Sequence, residues 1–293
     1  MGNNPLIIGI TGGKGGSGKS TVAVNLAIAF KMLGKRVLLI DSDVESPVEH
    51  ILLSAERKKI SEILSFRPKI LEDKCVKCNL CVENCSEHAL VGLPGRIPTL
   101  FNELCSGCKA CYFVCPVKAI DEEVVRIGNI YQIQVDYMTV LQGELNPGFR
   151  QYVTVTVDTI TAALSEKDQF DVVLIDTAPG TGANIFAAIY AADIVLAVTE
   201  PTPLGANDLS MLLELTNKMN KRTYIILNKA TMPGGKKDLI YEVAKKRDIK
   251  VLAEIPYSDE IMSNYFKGSF GLDAENKYMR LFFEIAKKID NIK

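Results

Sequence analysis

The sequence predicts an α/β fold, a mostly parallel, doubly wound sheet into which a small α+β unit is inserted. Three observations carry that expectation. An apolar run, Leu6-Ile7-Ile8, leads through a glycine-rich stretch into a second run, Val22 to Phe30, that is too long for a strand. Two further segments, Arg36 to Asp43 and Phe170 to Asp176, are near-continuous in apolar residues and end in acids, as parallel strands buried on both faces do. All 8 cysteines fall between positions 75 and 115, where the alternation of strand and helix stops.

Composition sets the limits. With 293 residues and 47% hydrophobic content, the chain is large for one domain and has ample material for a core, so one main domain plus something small is expected. A net charge of −1 provides no basic field, and no nucleic-acid partner is expected. The first residues lack a basic region followed by a long apolar one, and Leu6 stands where a Met1-Gly2 myristoylation signal wants Ser or Thr. The longest apolar stretch, Ile185 to Thr199, is broken by Asp193 and too short for a bilayer. A cytoplasmic protein without membrane contact is the expectation.

The glycine stretch comes first in the chain and carries the clearest chemistry. Gly13-Lys14-Gly15-Gly16-Ser17-Gly18-Lys19-Ser20, followed by Thr21, satisfies G-x-x-x-x-G-K-[ST] between a strand and a helix. Glycines let successive backbone N–H groups converge on phosphate oxygens, and the helix N-terminus adds partial positive charge. Lys19 is expected to reach the β and γ phosphates of ATP and Ser20 to ligate Mg²⁺. The extra Lys14 resembles the deviant phosphate loop of the MinD, ParA, Mrp and nitrogenase iron protein group. That resemblance implies a P-loop NTPase sheet in which Lys14 reaches across a dimer interface to the partner's nucleotide. It therefore implies a homodimer, or a heterodimer with a related ATPase.

The second strand, Arg36 to Asp43, follows a helix closed by Gly34 and ends in Asp41-Ser42-Asp43. Open parallel sheets place ligands at the carboxyl ends of their strands. By the same resemblance Asp43 sits beside the attacking water and Asp41 near the magnesium shell, and Val44 to His50 is a candidate first switch. His50 itself reads as a surface residue.

From about Phe66 the composition changes. Cys75-x2-Cys78-x2-Cys81-x3-Cys85 appears, and thirty residues later Cys105-x2-Cys108-x2-Cys111-x3-Cys115 repeats it. This is the run of bacterial ferredoxins, in which the fourth cysteine ligates the other cluster. Cys75, Cys78, Cys81 and Cys115 are thus expected to hold one [4Fe–4S] cluster, and Cys85, Cys105, Cys108 and Cys111 a second. Pro116 keeps the ferredoxin pattern, whereas Ser86 stands where it usually has proline. The expected division is 1–66 and 127–293 for the nucleotide domain and 67–126 for a ferredoxin-type insert.

After the insert, Val124 to Val135 and Tyr137 to Leu141 alternate like short strands, Leu145 to Gly148 turns, and Thr154 to Leu164 is read as a helix. The strand Phe170 to Asp176 and the loop Thr177-Ala178-Pro179-Gly180-Thr181-Gly182 resemble the Mrp and MinD branch, which implies that Asp176 holds a magnesium-bound water and the loop senses the γ phosphate. Strands at Ile194 to Thr199, Thr223 to Lys229 and Val251 to Ile255 enclose helices at Asn207 to Met219 and Lys237 to Arg247. The resemblance places Asn228 at the adenine edge and the backbone of Pro256 beside the base. The tail residues Tyr278, Leu281, Phe282, Ile285, Ile289 and Ile292 have helical spacing and fit a last helix packed on the sheet.

Three functions follow from the resemblance. The first is an ATP-gated electron carrier with an unknown redox partner, favoured because eight cysteines saturate two clusters. The others are an iron–sulfur assembly or transfer ATPase of the Mrp/ApbC kind and a positioning ATPase of the MinD kind.

Overall fold

A computed structural model describes residues 4–135, 138–268 and 277–292. In chain order, β1 (Leu6–Thr11), α1 (Lys19–Met32), β2 (Val37–Asp41) and the short α2 (Glu49–Leu52) lead into a long β3 (Lys58–Ile70). The cysteine segment holds α3 (Leu80–Glu83), the two-residue strands β4 (Leu90–Val91) and β5 (Thr99–Leu100), and α4 (Ala110–Val114). The chain returns through β6 (Ile120–Val135) and β7 (Met138–Leu145), then alternates α5 (Tyr152–Leu164), β8 (Val172–Asp176), α6 (Ala183–Ala191), β9 (Ile194–Thr199) and α7 (Pro203–Lys218). It closes with β10 (Arg222–Leu227), α8 (Lys237–Lys246), β11 (Val251–Glu254), α9 (Asp259–Lys267) and α10 (Lys277–Asp290).

Nine of these strands form one sheet in the order β11-β10-β9-β1-β8-β2-β7-β6-β3, parallel from β11 to β7 and antiparallel for β6 and β3. Alternation within each strand assigns the two faces. Ile8 and Ile10 of β1 pack with α1 and α10, while Ile7 packs with α5 and α6. Helices α7 and α8 cover the same face as α6, against Val195, Ala197 and Ile225. Helix α1 is buried from Val22 to Phe30 because α10 covers its outer side, with Phe282, Ile285 and Ile289 inside the core. The tail is a packed helix, and among the described residues no helix is long and apolar enough to cross a membrane.

Several elements differ from expectation. β6 is one 16-residue strand rather than short pieces. It pairs along its length with β3, which the sequence does not announce. β3 is largely exposed and contains Pro68, which an edge strand tolerates because one side of its ladder has no neighbour. Both expected insert boundaries, 66/67 and 126/127, fall inside these strands. α7 begins at Pro203, four residues earlier than read, because Thr202 Oγ1 accepts from Gly205 N–H at 2.9 Å and Pro203 suits the first turn. α9 was not anticipated. Tyr137 of the expected strand and the Met1-Gly2 signal lie outside the described residues.

Candidate functional site

The phosphate loop leaves β1 at the switch point of the sheet, where β1 lies between β9 and β8. Gly16 and Gly18 turn it with φ of 80° and 92°. At Gly18 an added Cβ would also lie 2.1 Å from Asn228 Nδ2. Gly18 caps α1 without a side-chain hydrogen bond, so the first-turn N–H groups remain for an anion. Lys19 is 6% exposed and lines a cavity of about 450 Å³ with Ser20, Asp43, Pro179, Asn228, Pro256, Tyr257 and Tyr265. That size suits a nucleotide-scale ligand.

Two expected residues have partners within this chain. Asn228 Nδ2 donates to the Ser17 carbonyl at 2.9 Å, so this amide braces the loop. Lys14 Nζ pairs with Glu200 Oε1 at 2.9 Å, and Lys229 Nζ bridges Glu200 Oε2 at 3.2 Å to the Gly16 carbonyl at 2.8 Å. Along the chain Glu200 is a loop residue and Lys229 the end of a strand, with no site role expected of either. The Glu200-Pro201 pair directly after β9 is the local signal for Glu200.

Three acids meet behind the loop. β2 and β8 pair in register, Asp41 opposite Asp176, so it is Asp41 rather than Asp43 that faces Asp176 across the ladder. Glu49, the first residue of α2, completes the group: carboxylate oxygens of Asp41, Glu49 and Asp176 lie within 4.8 Å of one another, all three side chains buried. Ser20 Oγ donates to Asp176 Oδ2 at 2.6 Å. Burial, then the charge of Asp41, pushes Asp176 up to about 7. The same two causes hold Glu49 well above the carboxylate range. Asp43, in the cavity wall, is raised to about 6 by burial and then Asp41, against the pull of Lys19. Burial lowers Lys19, which the charges of Asp176 and Asp43 partly restore.

From this group a polar chain leads to the strands that carry the cysteines. Gln142 of β7 is fully buried; its Nε2 donates to Asp41 Oδ2 at 2.7 Å and its Oε1 accepts from Arg57 Nη1 at 3.2 Å. Arg57 immediately precedes β3, pairs with Glu144 at 3.1 Å, and lies over the Tyr131 ring of β6 at 4.2 Å. His50 is half-buried rather than a surface residue, with Nδ1 enclosed and its pKa lowered by burial and then Arg57.

The eight cysteines are free thiols in two groups. Cys75, Cys78, Cys81 and Cys115 line one cavity, and Cys85, Cys105, Cys108 and Cys111 line another, each group taking its fourth member from the other half of the repeat. The backbone repeats as well. Left-handed residues recur thirty positions apart at Lys77 and Gly107, Asn79 and Lys109, His88 and Lys118. Non-glycine residues held there cost about 1–3 kcal/mol each, which the surroundings must offset. Burial, then Cys105, raises the Cys111 thiol to about 11, so a thiolate there requires a bound cation. A single tetrahedral zinc would draw its sulfurs to about 3.8 Å of one another. Among the described residues the group of ligand atoms within 4.8 Å contains no cysteine.

Comparison with known proteins places this geometry. The family profile described as "CobQ/CobB/MinD/ParA nucleotide binding domain" matches residues 8–270. An uncharacterized protein of Methanocaldococcus jannaschii is 34% identical over 90% of this chain and 90% of its own. An iron-sulfur cluster carrier protein of Bacillus subtilis is 57% identical over only 44 residues, 15% of this chain and 12% of that one. Among solved structures, the septum site-determining protein MinD of Pyrococcus horikoshii, complexed with Mg-ADP, superposes with a TM-score of 0.64 at 18% identity, covering 98% of this chain and 97% of the other.

Proposed function

This chain belongs to the CobQ/CobB/MinD/ParA nucleotide-binding family, and we propose that it is a MinD-like, magnesium-dependent ATPase whose nucleotide state acts on an iron–sulfur insert. The observation that carries the ATPase reading is the braced loop with Lys19 and the Ser20–Asp176 hydrogen bond at its mouth. Likeness to a MinD over nearly the full chain supports this branch better than the iron–sulfur carriers do, since the carrier quoted above matches a short segment.

In this reading the loop N–H groups and Lys19 hold the β and γ phosphates, and their charge offsets the negative charge that develops in phosphoryl transfer. Two buried acceptors beside the loop, Glu49 Oε1 and Asp176 Oδ1, have no hydrogen-bond partner, and hard oxygen donors of this kind suit magnesium. Ser20 and Asp176 would hold the ion, which supplies charge neutralisation of the β and γ oxygens when bound. Asp43, at the cavity wall, orients the attacking water. Lys14 acts on a partner's nucleotide within a homodimer or heterodimer of related chains, once it leaves Glu200.

The insert is the unit 71–119 standing on β3 and β6, and its two quartets hold [4Fe–4S] clusters, which supply one-electron chemistry when present. Electron transfer to a redox partner is favoured over cluster delivery by one observation: both quartets are complete, leaving no thiol to hold a cluster in transit. The Asp41–Gln142–Arg57 chain supports coupling, because it joins the nucleotide site to the roots of both strands that bear the insert.

Turnover of Mg-ATP by anaerobically prepared protein tests the reading. Wild type is expected to hydrolyse ATP, and Lys19→Ala to lose at least about 100-fold in kcat/KM, roughly 2.7 kcal/mol of transition-state stabilisation. A wild type that neither binds nor hydrolyses Mg-ATP would overturn it.

A further inference from the structure

Glu49 is fully buried, and its Oε1 has no hydrogen-bond partner. It faces two more buried carboxylates, Asp41 and Asp176, with oxygens of all three within 4.8 Å. Asp176 Oδ1 is likewise without a partner. The hydrogen bonds that reach the trio come from neutral donors: the N–H groups of Asp43, Val48 and Glu49 and Gln142 Nε2 to Asp41, the Val48 N–H to Glu49 Oε2 at 3.4 Å, and Ser20 Oγ at 2.6 Å to Asp176. Oxygens of three buried carboxylates this close converge on one position, where a counter-charge beyond that of Lys19, which acts on Asp176, would sit.

The donor set selects that counter-charge. All the oxygens are hard, and carboxylate oxygen suits Mg²⁺ and Mn²⁺. Magnesium–oxygen bonds of about 2.0–2.1 Å put neighbouring ligand oxygens about 3 Å apart and opposite ones about 4 Å apart. Carboxylates already within 4.8 Å reach that geometry with small side-chain rotations.

We propose that Asp41, Glu49 and Asp176 form a divalent-cation site that fills before nucleotide arrives, with Glu49 as a direct ligand. This deepens the nucleotide reading on which it rests: the ion waits beside Ser20 instead of entering only with the phosphates. It also gives α2 a task. A phosphate oxygen that takes a place on the ion displaces Glu49, and the loop 42–48 between β2 and α2 then follows the occupancy of the site. The ion is the element through which phosphate is felt at Asp41, and from there at Gln142.

The test is titration of nucleotide-free, cluster-loaded, full-length protein with Mn²⁺ alone, reading free Mn²⁺ by its electron paramagnetic resonance signal. Thiolates are soft ligands and compete poorly for this ion. The expected result is one Mn²⁺ per chain bound below about 100 μM, weakened at least about tenfold in Glu49→Gln and unchanged in Glu56→Gln, an exposed acid outside the trio. Glu49→Asp, which keeps the charge but shortens the reach, is expected to weaken binding as well and serves if Glu49→Gln does not fold. Wild type that binds no Mn²⁺ below about 1 mM overturns the proposal by itself, as does a folded Glu49→Gln with wild-type affinity. ADP binding by wild type in the presence of a chelator reports separately on the nucleotide reading: Mn²⁺ binding without ADP binding would sink that reading and leave the cation site standing.

Discussion

Lys14 is the residue on which the dimer reading turns, and in this chain it is held by Glu200 at 2.9 Å. The Lys14 side chain is exposed although Glu200 is buried, so solvent screens the pair from the lysine's side and a partner's nucleotide can compete for it. Lys14→Ala is expected to bind nucleotide within about threefold of wild type, because Lys19 and the loop N–H groups stay, but to lose most of its turnover; equilibrium binding and steady-state hydrolysis measured on one preparation check both halves. A variant that hydrolyses normally would remove Lys14 from the mechanism. The loop residues themselves were legible in the sequence because their chemistry is local, fixed by spacing within eight positions. Glu200 was not, since its partner Lys14 lies 186 positions away. Gln142 escaped for the same reason, an ordinary strand residue until the fold sets it against Asp41, 101 positions distant, and Glu49 because only the fold brings Asp176 to it.

At the level of elements, the parallel strands were legible because burial on both faces makes them continuous apolar runs. β3 was not, because β6 and a hydrogen-bonded ladder hold it where burial does not. Its sequence, from Lys58 to Ile70, carries charges on both faces and a proline. The pairing of β2 with β8 carries its own pH signature. Asp171, just before β8, accepts from the Arg36 side chain at 2.9 and 3.2 Å and from the Arg36 N–H at 2.8 Å. These bonds lower its pKa to about 2. A carboxyl with a depressed folded-state pKa contributes stability above its unfolded value of about 3.9 and loses it as pH falls through about 2. With Arg36 well exposed, solvent screening limits the contribution to about 1 kcal/mol. Asp171→Asn is therefore expected to lower stability by about that amount at pH 7 and by progressively less from pH 4 to pH 2, as denaturant midpoints across that range will show. A cost that does not change with pH would assign the effect to packing.

At the level of the whole molecule, a large sheet carries a small unit that has little core of its own. Phe66, Leu90, Cys111 and Ile120 form its buried cluster, and two of the four belong to the supporting strands. About 50 residues with so small a core do not offset their chain entropy unaided, and in the proposed function bound metal contributes the rest. Iron chelation is expected to make 71–119 protease-sensitive while the nucleotide domain survives as resistant fragments; an insert that stays resistant without iron would contradict this. In the proposed function, nucleotide at the loop changes the insert through the Asp41–Gln142–Arg57 chain. A ligand shifts such a balance only by its preference for one posture, and about 1.4 kcal/mol of preference changes a population ratio tenfold. The most direct measurement is the rate at which a chelator strips iron from anaerobic protein with no nucleotide, with Mg-ADP and with Mg-ATP. The rates are expected to differ at least about threefold between ADP and ATP, with the difference abolished in Lys19→Ala and reduced in Gln142→Leu. Equal rates in every nucleotide state, from a wild type shown to bind both nucleotides, would contradict it.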